Sequence, residues 1–402
     1  MRTLRKAHPL LVRAACMTTV FVVATACVVS DKDRSSKADS VSVAAPATSP
    51  AATFDTADIS APTWAVDSAD TAGLSLRQTD SAQAEASFKR ISGQTANAAL
   101  TSFGGPIPKG GSTALRLQIL LDRAGFSPGV IDGAWGKNAA QAFSFFRSSG
   151  KVDSASAGRR SDSATLDKAS YEQLLAAGGS APVVTSYTVT AEDVKGPFVK
   201  IPQDVYEKAK LQCLCYASPL EALAEKFHSS PRLLKQLNPG VDLTKVASGT
   251  SLTVPNVADS AGNASGQVAK LIVSKTGFWT NAVDSSGRVL YHFPSTLGAG
   301  YDPSPTGDFK ITGVAHNPAF HYQPTLFAEV PDSKPNARLP AGPNSPVGVA
   351  WMALSKPHYG IHGTSDPETI GYASSHGCVR LTNWDAERLS KLVRPGLPVV
   401  FQ

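Results

Sequence analysis

"GYASSHGCVRLTN", residues 371–383, sets a single cysteine in a tight polar frame. Cys378 directly follows Gly377, two residues after His376 and two before Arg380. Three readings stand open for it: a buried structural thiol, half of a disulfide, or a nucleophile. Alone it says little, because free cysteine is among the most buried residue types. Sixteen residues upstream, "HYGIHGT" (358–364) supplies His362. A thiol attacks a carbonyl only when a base takes its proton or a positive neighbour lowers its pKa, and a histidine on a separate strand can do either. Gly377 lets the backbone bend sharply, so that the N–H groups of Gly377 and Cys378 can point at a developing oxyanion. Arg380 adds a planar donor fork suited to a carboxylate. The competing role for Arg380 is to brace the loop by pairing with Asp366 or Glu368.

Around this stretch the texture is that of strands. "KLIVSK" and "RVLYHF" flank a "DSSG" turn, and "GDFKITG" and "VGVAWMALS" follow, rich in β-branched and aromatic residues. "NWDAERLSKLV" reads as the one clear helix here, capped at Asn383, before a last strand "LPVVF". Residues 268–402 are therefore expected to form a mainly β domain.

Two helical regions precede it. "ALRLQILLDRAGF" puts Leu117, Leu120 and Leu121 on one face before Gly125 stops the helix. "SPGVIDGAWG" is a turn, after which Asn138 is expected to cap a helix with Ala139, Ala142, Phe143 and Phe146 inward, ending at Gly150. Further on, Ser218-Pro219 with Glu221 spells a capping box, and Ser230-Pro231 repeats the device before Asn238-Pro239-Gly240. Leu220, Leu223, Ala224 and Phe227 form the apolar stripe, and "TSLTVP" returns as a strand.

At the other end, residues 1–26 read as a secretion signal: a basic "MRTLRKAHPLLVR", an apolar "AACMTTVFVV" and an "ATAC" processing site. The apolar run is shorter than the roughly 20 residues a membrane-spanning helix needs. Arg2, Arg5, Lys6 and Arg13 hold four of the chain's +6 formal charges, so removing the segment leaves 6 − 4 = +2 and nothing that argues for nucleic acid. Cys27 resembles the acylated cysteine of a bacterial lipobox, although Ala24 stands where that pattern prefers Leu. The alternative is a soluble periplasmic protein. Val28 rather than Asp after it resembles outer-membrane lipoproteins. Residues 27–100 are dominated by Ala, Ser, Thr and Asp and are expected to form a disordered tether, spanning about 45–50 Å root-mean-square. Outside the cytoplasm, a free Cys378 needs a reason. Cys213 and Cys215 could pair, but an i,i+2 bridge is awkward where strand side chains alternate faces. His292, His316, His321 and His358 show no metal-ligand spacing, and no metal or cofactor is called for.

The "HYGIHGTSDPETIGYASSHGCVR" stretch, with "PSPTGDFKI" before it and "RLTNWDA" after it, resembles the L,D-transpeptidase catalytic signature of the YkuD type. "LQ…L…GF" with "IDGAWG" resembles a three-helix peptidoglycan-binding-like domain (101–180), and the strand–helix–helix–"LNPG"–strand order resembles a LysM-like βααβ module (185–257) that binds N-acetylglucosamine-containing glycan. The fold class expected is multidomain, with a mainly β YkuD-type domain at the C-terminus. The resemblance implies Cys378 as nucleophile and His362 as general base and acid. Gly363 would orient the imidazole through its carbonyl, while His376, Gly377 and Arg380 would line the substrate and oxyanion site. It further implies a thioester with the meso-diaminopimelate carbonyl of a tetrapeptide stem, loss of D-Ala, and transfer to an acceptor amine on another stem or on a lipoprotein lysine. Peptidoglycan stem peptides and glycan strands would be the partners, and contact with a membrane would come only through a lipid on Cys27. The rivals are a thiol hydrolase acting on the same bonds and a non-catalytic wall-binding scaffold.

Overall fold

The computed structural model describes residues 91–148, 165–257, 267–300, 302–327 and 330–402. The signal segment, Cys27 and the tether up to residue 90 lie outside the described residues. Order begins before residue 101, where the tether was expected to end. A short helix α1 (Gly93–Asn97) is closed by a reciprocal cap, in which Ser92 Oγ accepts from the Thr95 N–H and Thr95 Oγ1 from the Ser92 N–H. Ile91 and Ala96 enter the first core. Two apolar side chains and a cap suffice to fix a turn that composition alone assigns to the tether.

Helix α2 (Ser112–Arg123) buries Leu117, Leu120 and Leu121, and Gly125 follows its C-cap in the left-handed region at φ 84°. Helix α3 (Lys137–Arg147) departs from expectation at both ends. Gly136 is its N-cap, with no side-chain cap bond, and Ser148 its C-cap, short of Gly150. Asn138 is spent elsewhere: its Nδ2 donates to the Ile370 carbonyl at 2.9 Å. Helix α4 (Lys168–Gly178), capped by Asp167, completes this N-terminal helical region.

Strand β1 (Val184–Thr188) pairs antiparallel with β2 (Ser251–Pro255). After β1 the chain makes an excursion the sequence did not show. It holds α5 (Val205–Ala209) and a disulfide between Cys213 and Cys215. The objection from strand alternation falls away because this segment is irregular rather than β, and the two Cα atoms lie 5.2 Å apart, within disulfide range. Helices α6 (Pro219–Lys226) and α7 (Pro231–Leu237) start at Ser218 and Ser230, each side chain accepting from the N–H three residues on. The capping box closes on a neighbouring donor: Glu221 accepts from the Ala217 N–H, not from that of Ser218.

The C-terminal domain is an eight-stranded mixed sheet. In chain order its strands are β3 (Lys270–Ser274), β4 (Trp279–Val283), β5 (Val289–Pro294), β7 (Gly307–His316), β10 (Ala350–Leu354), β11 (Gly360–His362), β13 (Val379–Arg380) and β14 (Pro398–Phe401). Their order across the sheet is β13-β11-β10-β7-β14-β3-β4-β5. Short strands outside it are β6 (Leu297–Gly298) with β12 (Ser374–Ser375), and β8 (Phe320–Tyr322) with β9 (Ala337–Leu339). Helix α8 (Asn383–Leu392) lays Ala386 and Leu389 on a core of Leu271, Val273, Met352, Ile361 and Val379. Its N-cap is Thr382, whose hydroxyl accepts from the Asp385 N–H, and not Asn383. The expected cap is displaced by one residue because Asn383, like Asn138, is committed to a distant contact.

The helical regions pack directly on this sheet. Phe145 of α3 stacks on His292 and meets Trp279 edge-on, covering the outer face of β4 and β5. The Gly125 carbonyl and Ser127 N–H bond the backbone of His292 at 3.0 and 2.9 Å. Arg388 and His228 both reach the fully buried Asp122. The excursion after β1 packs Leu214 with Phe320, Tyr322 and Leu339 of the β8–β9 hairpin.

Candidate active site

Strand register brings the predicted residues together. β11 and β13 run parallel with His362 opposite Arg380. Cys378 stands in the bend immediately before β13, two residues before Arg380. β10 adds Trp351 opposite His362 on its other side, and the two rings stack at 5.2 Å. Trp351 and Cys378 belong to the same apolar cluster. Arg380 is tied back by two backbone bonds to Thr296, at 2.9 and 3.0 Å. His376 is half-buried with its ring edge-on to Phe327 at 5.4 Å, and Cys27 is outside the described residues.

Each reactive atom is then oriented by the backbone. His362 is fully buried, and its Nδ1 lies 2.6 Å from the Gly363 carbonyl, which can only accept. That contact fixes the tautomer: Nδ1 carries the proton and Nε2 presents a lone pair. Nε2 is buried and has no hydrogen-bond partner among the described residues. Cys378 donates its thiol proton to the His358 carbonyl at 3.6 Å. Gly377 stands at φ 96°, and a Cβ there would meet the Tyr359 ring at 2.6 Å, so only glycine fits. The Gly377 carbonyl accepts from Ser304 Oγ at 2.8 Å and the Cys378 carbonyl from Ser375 Oγ at 2.5 Å. Because the peptide is planar and trans, anchoring the Gly377 carbonyl aims the Cys378 N–H the opposite way.

Burial keeps both reactive groups uncharged. It drives the His362 imidazole down to about 3, with Arg380 acting in the same direction and the Gly363 carbonyl against it. It pushes the Cys378 thiol up to about 11, opposed by the Gly360 backbone and by Arg380. The resting pair is therefore neutral thiol and neutral imidazole. A neutral thiol in such a site can attack only as its proton moves to a base.

Several participants were not visible in the sequence. Trp351, Ser304 and Ser375 lie within the quoted stretches but were given no role there; Trp351 stacks on His362, and the two serines hold carbonyls. His358, set aside for lack of metal spacing, contributes a backbone oxygen from a left-handed conformation at φ 66° that few non-glycine residues adopt. Among the described residues no group of three or more His, Cys, Asp or Glu side chains is arranged to hold a metal ion.

The L,D-transpeptidase catalytic domain of the YkuD type matches residues 269–401. The protein YkuD of Bacillus licheniformis, which carries the L,D-transpeptidase name, is 31% identical over 180 residues, covering 45% of this chain and 91% of its own length. The chain belongs to the YkuD L,D-transpeptidase family. It is an L,D-transpeptidase, one of the peptidoglycan-modifying enzymes, with a helical region ahead of the catalytic sheet. YbiS of Escherichia coli K12 is 28% identical over 196 residues, and the match spans 60% of its length. Among solved structures, an L,D-transpeptidase from Xylanimonas cellulosilytica aligns over 76% of this chain and 100% of its own, at 15% identity and a TM-score of 0.32.

Proposed function

We propose that this transpeptidase works through a thioester on Cys378, with His362 as its single proton carrier. The observation that supports it most is the register of β11 and β13. It sets His362, whose buried Nε2 has no hydrogen-bond partner among the described residues, opposite Arg380, two residues after the buried free thiol of Cys378. Nε2 takes the thiol proton as Sγ attacks the carbonyl of the L-centre of meso-diaminopimelate in a tetrapeptide stem. The Cys378 N–H, and that of Gly377, donate to the oxyanion that forms. The tetrahedral adduct collapses, the C–N bond to D-Ala breaks, and Nε2–H protonates the departing amine. An acceptor amine then attacks the thioester, gives its proton to Nε2, and expels the thiolate, which takes that proton back. Arg380 and His376 line the cleft and receive the stem's carboxylate.

The helical regions belong to the same reading as wall-binding modules, 101–180 on peptidoglycan and 185–257 on its glycan, their weak contacts adding through effective concentration. Export by residues 1–26 and a lipid on Cys27 would hold the enzyme at the periplasmic face of the outer membrane. The test is mass spectrometry of muropeptides after incubation with disaccharide tetrapeptide. Dimers from wild type and none from Cys378→Ala are expected, with the melting profile unchanged. Tripeptide alone would make the enzyme a hydrolase, and turnover by Cys378→Ala would sink the thioester.

A further inference from the structure

We infer that Glu225, a side chain of helix α6 outside the catalytic domain, is a positioning residue for His362 and acts through the amide of Asn383. The inference rests on the reading of Cys378 and His362 given above.

The chain of contacts is continuous. Asn383 is 1% exposed, and all four of its hydrogen-bonding positions are filled. Oδ1 accepts from the N–H groups of Val349 at 3.2 Å and Thr364 at 3.1 Å. Nδ2 donates to Glu225 at 3.0 and 3.2 Å and to the Pro343 carbonyl at 3.0 Å. Two donors on one side and two acceptors on the other fix which way the amide faces. The Thr364 N–H and the Gly363 carbonyl are two ends of one planar peptide. Pinning that N–H on Asn383 aims the carbonyl at His362 Nδ1, and the carbonyl in turn sets the Nε2 lone pair. A Cβ on either Gly348 or Gly363 would run into Asn383 Oδ1, so the amide is wedged between the two turns it organises.

Glu225 completes the wedge from outside. Tyr216, at the end of the excursion after β1, donates to Glu225 Oε1 at 3.0 Å. One helical turn earlier, Glu221 accepts from Asn344 Nδ2 at 2.7 Å and so steadies the loop whose Pro343 carbonyl takes the other amide hydrogen of Asn383. Helix α6 thus offers two carboxylates at i and i+4 to two asparagines of the catalytic domain. Burial raises Glu225 to about 7, against the bonds from Asn383 and Tyr216. Either protonation state leaves an oxygen to accept from Asn383. Without Glu225, a buried amide N–H has no acceptor and the amide is free to turn.

The experiment uses the full chain, with kcat and KM from the muropeptide assay and Cys378→Ala as a control. Glu225→Leu should lower kcat about tenfold or more with KM within twofold, since a small misplacement of a catalytic group costs up to about a hundredfold. Glu225→Gln, which keeps an acceptor for Asn383, should recover most of that loss. A swap gives a second arm independent of whether Glu225→Leu folds. Asn383→Asp sets two carboxylates against each other and lowers kcat, and adding Glu225→Gln, whose amide can donate to the new carboxylate, raises it again. Glu225→Leu at wild-type kcat, a loss confined to KM, or a double variant no better than Asn383→Asp overturns the positioning role. Turnover by Cys378→Ala overturns the reading beneath it as well, whereas a dead Cys378→Ala beside a fully active Glu225→Leu overturns the positioning role alone.

Discussion

At the seam between α2 and α8, Asp122 is fully buried yet ionised. Burial pushes its carboxyl up, and Arg388 at 3.4 Å with His228 at 3.1 Å more than offsets this, leaving it well below the ordinary range. In the cleft, Cys378 and His362 are just as deeply buried, and burial prevails, so both stay neutral. The same cost of taking a charge from water is met at one place by a partner and left standing at the other. A matched charge holds two regions together. An unmatched pair is stable only without charge, and a neutral thiol is slow to react with passing reagents.

The contrast is most exposed at the thiol. Iodoacetamide labelling of Cys378, followed by peptide mapping, should accelerate about tenfold per pH unit from 7 to 10, about a thousandfold in all, because only the thiolate reacts. A plateau below pH 8 would mean a resting thiolate–imidazolium pair and erase the contrast. At the seam, Arg388→Leu strands Asp122 and should cost about 3–5 kcal/mol in urea denaturation. The labelling profile of the folded enzyme should not move.

Glu225 stands between the two cases. It is partly buried, faces Tyr216, Glu221 and Glu387, and is raised to about 7 from 4.5. A carboxyl raised on folding contributes stability that is full below about 4.5 and lost as pH rises through about 7. Partial exposure trims the loss to roughly 2 kcal/mol. Thermal melts should therefore show Glu225→Gln gaining on wild type between pH 5 and pH 8. A difference that does not change with pH would remove Glu225 from this comparison. Last, Thr382→Ala should cost about 1 kcal/mol by uncapping α8, with labelling unaffected.

How much of this was legible in the sequence follows from the range of each interaction. Cys378 and His362 are sixteen residues apart, so a local stretch carried both. The stop of α2 at Gly125 and the N-caps of α6 and α7 are local too, although Glu221 closes its box on the Ala217 N–H rather than on that of Ser218. Asn138 and Asn383 were taken as caps because Asn is a strong capping residue, but their side chains reach Ile370 and Glu225, 232 and 158 residues away. No local pattern encodes such a distance. His358 acts through its backbone carbonyl, which every residue has, so residue type could not single it out, and the carbonyls that Ser304 and Ser375 hold are set by the folded turn. The excursion after β1, with α5 and the Cys213–Cys215 bridge, has too few periodic residues to register as structure.

The contact between Asp122 and Arg388 spans 266 residues of chain. Synthesis delivers α2 and α6 well before α8, so Asp122 has His228 but waits for Arg388, and Glu225 has Tyr216 but waits for Asn383. Contacts of such separation are slow to close, because the loop entropy must be met before they reward it. The seam and the support of the cleft are therefore completed together, when α8 arrives. Truncation anywhere within α8 would leave an unfinished fold rather than a smaller enzyme.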